Sequence, residues 1–186
     1  MHKKQIWLAF VAMMLCASFA KAQFKTGEML GSAGLGIGAQ VNGNTLIPPV
    51  SLMGEYAITE NILGGVYVGY TSSREESVPF NLIWNNNLVI LGVRGSYNLE
   101  LTKDFDVYGG AFVGYTFAST RIIEGTMPLF GNLTAFGVSE TRLAGFIGGR
   151  YLFDNKFGVF GEIGYGISFV NVGLTINLGR HELPFM

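Results

Sequence analysis

The sequence is poor in the residues that most catalytic and metal sites use. It has one cysteine and two histidines in 186 residues, and charged residues make up only 13% of the chain. The cysteine, Cys16, follows Leu15 rather than the small residue that a bacterial lipoprotein signal places there. We therefore expect Cys16 to be an ordinary residue of a leader, and the rest of the chain to have neither disulfides nor thiol chemistry.

The first 22 residues have the pattern of a secretory signal peptide. Lys3 and Lys4 precede an apolar core from Ile6 to Phe19, and Ala20-Lys21-Ala22 fits the small-x-small cleavage pattern. This core is shorter than the roughly 20 residues of a spanning helix, which argues against an uncleaved anchor. We predict cleavage before Gln23, and a single domain over residues 23–186.

The predicted mature chain carries little that could support catalysis or cofactor binding. Nine basic residues against thirteen acidic ones give a net charge of −4 with His neutral, which excludes a basic nucleic-acid surface. Its only histidine, His181, lies in the tail and could not serve a triad near the long loops. Without Cys, paired His or spaced carboxylates, no metal or other cofactor is expected, and we predict that the protein is not an enzyme.

Large apolar residues alternate with small or polar ones through most of the chain, which is the period of β-strands. Five strands are predicted at Met29–Ala39, Val50–Ala57, Ile62–Tyr70, Asn87–Leu99 and Phe105–Phe117. Three more lie between Arg142 and Leu178. Their apolar face comprises Leu143, Ile147, Tyr151, Phe153, Phe157, Val159, Ile163, Tyr165, Ile167, Val170, Val172, Leu174, Ile176 and Leu178.

The opposite face of these strands is mostly glycine with a few polar residues, unlike the Lys, Glu and Thr of strands that face water. If the apolar face meets lipid, the glycines line a narrow interior where a few charges can pair. The pattern therefore predicts an all-β fold, an eight-stranded antiparallel up-and-down transmembrane β-barrel.

The connections between predicted strands alternate in length. Short ones fall near Thr59, Lys103 and Asn155, and long ones at Gln40–Pro49 and Ser72–Asn86. The longest loop, residues 118–138, is apolar enough either to continue the barrel wall as a hairpin, which we favour, or to contact a surface partner. Outer-membrane barrels have such short periplasmic turns and long external loops. The last external connection, near Ser168, departs from this rule because it is short.

Aromatic residues collect where the predicted strands end, as in an interfacial girdle. Six fall beside the short turns and three toward the long loops: Tyr56, Tyr97, Phe105, Tyr151, Phe153 and Phe157, then Tyr70, Tyr115 and Phe117.

Four short motifs resemble the small eight-stranded outer-membrane β-barrel domain family that is common in the Bacteroidetes. They are Gly54-Glu55-Tyr56, Gly109-Gly110-Ala111 with Gly114-Tyr115, Gly148-Gly149-Arg150-Tyr151, and the run from Val172 to Leu178. The resemblance covers nearly all of the predicted mature chain. It implies a monomeric barrel in the cell outer membrane, with membrane lipid and the barrel-assembly machinery as partners. One departure is the tail after Leu178, where family members commonly end on an aromatic residue.

Six charged residues are predicted to face the barrel interior, three of each sign: Glu55, Arg94, Asp106, Arg142, Arg150 and Glu162. An unpaired charge inside a closed barrel would cost several kcal/mol, so we expect these side chains to pair and to plug the lumen. The predicted function is a structural or surface-interaction protein. A narrow porin-like channel for small solutes and a periplasmic lipocalin-like ligand-binding barrel are the alternatives.

Overall fold

The computed structural model describes residues 24–39, 43–77, 82–124, 135–153, 155–164 and 166–180. The predicted signal peptide 1–22, its cleavage site and His181 lie outside these ranges. Within them, no helix has the length and hydrophobicity needed to cross a membrane.

Eight antiparallel strands form a closed barrel. They are β1 (Glu28–Ala39), β2 (Asn44–Ala57), β3 (Ile62–Ser77), β4 (Leu82–Thr102), β5 (Phe105–Glu124), β6 (Ala135–Phe153), β7 (Phe157–Gly164) and β8 (Ser168–Arg180). Each strand pairs with its neighbours in sequence, and β8 pairs with β1 to close the barrel. The predicted up-and-down topology is therefore confirmed.

The alternation of each strand sorts its side chains between the outside and the interior as predicted. Leu143, Ile163 and Leu174 are 79%, 62% and 68% exposed on the outer face, whereas their inward neighbours are buried or small. Eight strands leave an interior just wide enough for side chains to fill. The apolar face therefore has no room inside, and it covers the outside of the barrel.

Ile167 is an exception to this assignment among the described residues, and Tyr165, also predicted on the apolar face, lies outside them. The apolar pattern predicted Ile167 on the outer face, but its side chain is fully buried inside the barrel. The reason is that β7 ends at Gly164 and β8 begins at Ser168, so Ile167 belongs to a turn and not to a strand. The turn folds over the lumen, and the backbone N–H of Ile167 donates to the Tyr67 hydroxyl at 3.2 Å.

The strands extend further toward the long loops than the sequence predicted. The sequence predicts a loop over residues 40–49, yet β2 begins at Asn44. The register of β2 against β3 shifts between Thr45 and Ile47 and again between Ile47 and Val50. Pro48 and Pro49 lie within the second shift, and prolines are tolerated there because a bulge does not require every ladder N–H.

The predicted loop Ser72–Asn86 is also mostly strand. Its described residues pair in continuous register, from Ser72 with Asn87 to Ser77 with Leu82. Residues 118–121 pair with residues 135–138 as well, which confirms the hairpin interpretation of the 118–138 segment for its described part. A polar strand that has left the membrane lacks the apolar alternation that marks a strand within it.

As a result, the barrel wall is high on one side. Strands β3 to β6 are 16 to 21 residues long, whereas β7 has only 8. The pairing of β7 with β6 begins at Phe146, so within the described ranges residues 135–145 of β6 pair only with β5. We call the part of β3 to β6 beyond the apolar band the projecting sheet; it comprises residues 72–77, 82–87, 118–124 and 135–138.

Short turns close the opposite end of the barrel, at the positions predicted. In the first, the Thr59 hydroxyl accepts from the N–H of Ile62 at 3.0 Å. In the third, Asn155 has a φ of 57°, a left-handed conformation that asparagine tolerates better than most residues.

The predicted aromatic residues are exposed or half-buried on the outer face near the two ends of the barrel. Tyr151 and Phe153 contact each other edge to face at 5.0 Å at the turn end, as do Tyr115 and Phe117 at 4.9 Å toward the projecting sheet. The apolar band of the outer face therefore extends from the aromatic residues at the turn end to those toward the projecting sheet.

Two glycines on adjacent strands allow a matched test of the two faces. A Cβ on inward Gly110 would lie 2.6 Å from Cζ of Phe146, whereas outward Gly145 has no neighbour closer than 3.8 Å. We expect Gly110→Ala to lower the free energy of unfolding by about 1–3 kcal/mol through overpacking. We expect Gly145→Ala to raise it by about 0.5–1 kcal/mol, because alanine loses less backbone entropy. Urea titrations of both variants in detergent measure this difference, and equal shifts would contradict it.

Candidate functional site

Five charged side chains from five strands meet inside the barrel. Glu55 lies on β2, Arg94 on β4, Asp106 on β5, Arg150 on β6 and Glu162 on β7. Each is buried, and each lies at an inward position of its strand. We call these five residues the lumen network.

Two arginines and three carboxylates of the network form one connected chain. Arg94 pairs with Glu55 (Nε to Oε1, 3.1 Å) and with Glu162 (Nη2 to Oε2, 2.8 Å). Arg150 pairs with Asp106 (Nη2 to Oδ2, 3.0 Å) and with Glu55 (Nη1 to Oε2, 3.6 Å). Glu55 therefore joins the two arginines, and no member of the network can be removed without leaving an opposite charge short of a partner.

Arg142, the sixth predicted residue, lies apart from the network. Its Nη2 pairs with Oε1 of Glu140 at 3.1 Å, and its Nη1 donates to the carbonyl of Gly166 at 3.4 Å. Glu140, which was not among the predicted lumen charges, is therefore the ion-pair partner of Arg142. The two residues are two positions apart on β6, so alternation alone places them on the same face and would have revealed the pair.

Neutral side chains complete the hydrogen bonding of the network. The amide oxygen of Asn98 accepts from Arg150 Nη2 at 2.9 Å, and the Tyr108 hydroxyl donates to Glu162 at 3.4 Å. The thioether of Met53 accepts from Arg94 Nη1 at 2.7 Å, and the Arg94 guanidinium lies 3.9 Å from the centre of the Phe146 ring. None of the four was singled out from the sequence, although all lie at inward positions.

Apolar side chains fill the interior on both sides of the network. Toward the short turns, a cluster consists of Phe24, Leu30, Ala57, Leu63 and Leu152, and Arg150 lies 4.9 Å above the Phe24 ring. Toward the projecting sheet, Tyr67 and Phe112 contact edge to face at 5.3 Å, and Ile167 packs in the same cluster. The charged layer is thus enclosed between two apolar layers.

The five residues of the lumen network are arranged as salt bridges. Each carboxylate of the network is paired with an arginine, which leaves no free general base beside a nucleophile. In the part of the chain that the structure describes, no group of three or more His, Cys, Asp or Glu side chains is arranged to hold a metal ion.

No family model matches the chain, and no curated protein matches it. Among solved structures, it is similar to Ail, the attachment invasion locus protein of Yersinia pestis, in complex with the heparin analogue sucrose octasulfate. That match has a TM-score of 0.48 and 13% identity, and covers 82% of this chain and 96% of that one. A second structure of Ail has a TM-score of 0.45 and 15% identity, and the match covers 82% of this chain and 95% of that one.

A structure from the de novo design of transmembrane β-barrels is similar to the same degree, with a TM-score of 0.46, 16% identity and coverage of 83% of this chain and 98% of that one. A likeness of this strength, shared by a natural and a designed barrel, says nothing about function.

The class of protein follows from the barrel itself. Its strand ladder is closed, its outer face is apolar between two aromatic levels, and its inward side chains form a buried charged layer between two apolar clusters. Only closed barrels and helices satisfy their backbone groups in lipid, and a barrel with this outer face is an outer-membrane β-barrel. The lipocalin-like alternative is wrong, because a water-soluble barrel turns its apolar face inward.

Proposed function

We propose that this protein is a non-conducting outer-membrane barrel that presents its projecting sheet to a protein partner outside the cell. The barrel anchors the sheet, and the filled lumen makes the anchor rigid. The observation that carries this proposal is the free edge of β6, where residues 135–145 have a neighbour on one side only within the described ranges.

An unpaired strand edge is a template for another strand. Its free N–H and C=O groups can add an extended segment from a partner, which is a common mode of peptide recognition. The outer part of this edge, residues 135–138, lies beyond the upper aromatic level, because the next residue, Ser139, is the register partner of Phe117. The edge also lies next to the low wall formed by β7, whose eight residues end at Gly164. A partner approaching from outside therefore meets no described strand in its way.

The filled lumen supports an anchor rather than the porin-like alternative. A channel needs a continuous polar path, whereas here the charged layer lies between two apolar layers. Tyr67 and Arg142 both hold the turn that contains Ile167 by hydrogen bonds to its backbone. The turn thus caps the interior from the outside.

A selection of displayed ten-residue peptides on the protein in nanodiscs tests the edge. We expect selected peptides to alternate β-branched or aromatic residues with polar ones. Ser139→Lys places a charge on the edge strand and should weaken peptide binding about tenfold, which corresponds to about 1.4 kcal/mol.

Ser119→Lys is the matched control for this test. It adds the same charge to another exposed serine of the outer face, one register row farther from the membrane than Ser139, but on β5, which has neighbours on both sides. It should leave peptide binding unchanged. Equal losses for the two variants, or no enrichment of alternating peptides, would reject the edge as the binding surface.

A further inference from the structure

The outer face of the projecting sheet carries a row of cationic and amide side chains just beyond the upper aromatic level. Arg74 on β3 is the cross-strand partner of Asn85 on β4, and Asn85 is the partner of Arg121 on β5. One register step nearer the membrane, Asn87 is the partner of Ser119. We call these five residues the cationic patch.

The patch follows the apolar band in a regular order. Reading β3, β4 and β5 outward from the membrane, Tyr70, Val89 and Phe117 form one register row. The next row contains Asn87 and Ser119, and the row after that contains the two arginines. Two residues advance a strand by about 7 Å, so the arginines lie about 13 Å along the strands from the aromatic row. Their long side chains can extend back toward the membrane surface.

Hydrogen bonds within the patch orient its side chains and leave N–H groups that can donate to a bound anion. The Asn85 side-chain oxygen accepts from Arg74 Nε at 3.1 Å, which leaves the Nη atoms of Arg74 for another acceptor. The oxygen of Asn87 accepts from the hydroxyls of Tyr70 and Ser72, at 3.2 and 2.9 Å, so its amide N–H groups remain as donors. Arg74 and Arg121 flank β4, about 10 Å apart at the backbone, which is close enough to contact one phosphate group.

Neighbouring acids do not neutralise the patch. Glu75 lies on the opposite face of the sheet, where it accepts from Asn86 at 3.4 Å. Glu76 and Glu124 lie one row farther from the membrane. Among the described residues, no carboxylate lies within ion-pair distance of Arg74 or Arg121. An anion at the membrane surface therefore meets the arginines first.

We infer that the cationic patch binds the phosphate of an anionic membrane lipid, whose chains lie along the apolar band below Tyr70 and Phe117. The order of the protein surface, from apolar to aromatic to amide and hydroxyl to arginine, matches the order of groups in such a lipid. Among the described side chains at this end of the barrel, the outer face has positive charge only here. The inference goes beyond the proposed function, because the free edge of β6 is a different surface.

Native mass spectrometry of the full chain, refolded in detergent, tests the inference with phosphatidylglycerol and phosphatidylcholine as probes. We expect one phosphatidylglycerol to bind about fivefold or more tightly than phosphatidylcholine, the effect of about one basic residue at a membrane surface. Arg74→Gln and Arg121→Gln should each reduce this preference, and the double variant should abolish it. Both residues are exposed, so neither change disturbs the barrel.

Two controls make the test decisive. Lys103→Gln removes an exposed charge at the opposite end of the barrel and should leave the preference unchanged. Inorganic phosphate at the lipid concentration should not displace the bound lipid. Equal binding of the two lipids, an equal loss with Lys103→Gln, or displacement by inorganic phosphate would each overturn the inference, and none of these results bears on the free edge of β6.

Discussion

Replacing Arg94 with alanine is expected to lower the free energy of unfolding by about 3–5 kcal/mol, because it leaves buried carboxylates without their partner. Arg94 lies between Glu55 and Glu162, and the Arg94 side chain is only 2% exposed. Glu55 keeps a longer contact with Arg150, at 3.6 Å, but Glu162 loses its only arginine in the network. The network already holds one more carboxylate than arginine, and the substitution increases that excess.

Arg142→Ala is the matched control for Arg94→Ala. It removes the same group from the same interior, but its partner Glu140 has a side chain that is 62% exposed. An ion pair in contact with water contributes about 0–1 kcal/mol, and a hydrogen bond such as that to the Gly166 carbonyl about 1 kcal/mol, so the control should lose clearly less stability than Arg94→Ala. Guanidinium titrations of the refolded proteins in detergent measure both. Similar losses for the two variants would show that Arg94 is no more buried in solution than Arg142.

A compensated variant separates charge from packing. Arg94→Met combined with Glu55→Gln and Glu162→Gln removes the local charges together and approximately preserves volume. Replacing a buried ion pair by neutral groups is often close to neutral, so this triple variant should recover much of the stability that Arg94→Ala loses. If it is as unstable as Arg94→Ala, the loss arises from packing and not from stranded charge.

The same proteins test whether the lumen is closed. We expect the wild type to show negligible conductance in planar bilayers, and Arg94→Ala to show a measurable leak, because a stranded carboxylate draws water into the charged layer. Stable, ion-selective currents from the wild type would support the porin-like alternative instead.

The assignment of side chains to the two faces could be predicted from the sequence because the period of a strand is two. On β4, for example, Leu91 and Val93 alternate with Ile90 and Arg94, and the narrow interior leaves only one arrangement of the two faces. This reasoning also gave the five residues of the lumen network.

Depth along the barrel could not be predicted in the same way. Alternation says that Arg142 faces inward, but not that it lies several residues above Arg150 and therefore meets Glu140 instead of the network. The predicted ends of the strands were wrong for a related reason. Residues 72–77 are polar because they have left the membrane, yet their backbone groups still pair in the ladder. The prediction that Ile167 faces outward was wrong because Ile167 lies in a turn, where side chains do not alternate between two faces.

The assignment of the apolar face to lipid leads to the second large effect. Ile163 lies on β7 and is 62% exposed. Its register partners on the two neighbouring strands are Ile147 on β6 and Val170 on β8. An arginine at this position would place a charge among apolar side chains and lipid chains. We expect Ile163→Arg to destabilise the inserted barrel by about 2–4 kcal/mol if the site lies near the bilayer midplane.

Phe157→Arg is the control, because it places the same charge on the same face of the same strand but at its turn end. Phe157 is 56% exposed at the start of β7, directly after the turn at Asn155 and Lys156. A charge near the interface costs only about 0–1 kcal/mol, so most of the loss at Ile163 should be absent at Phe157. Denaturant titrations in lipid vesicles measure the difference. If arginine is tolerated equally at both positions, the outer face of the barrel does not lie in a membrane.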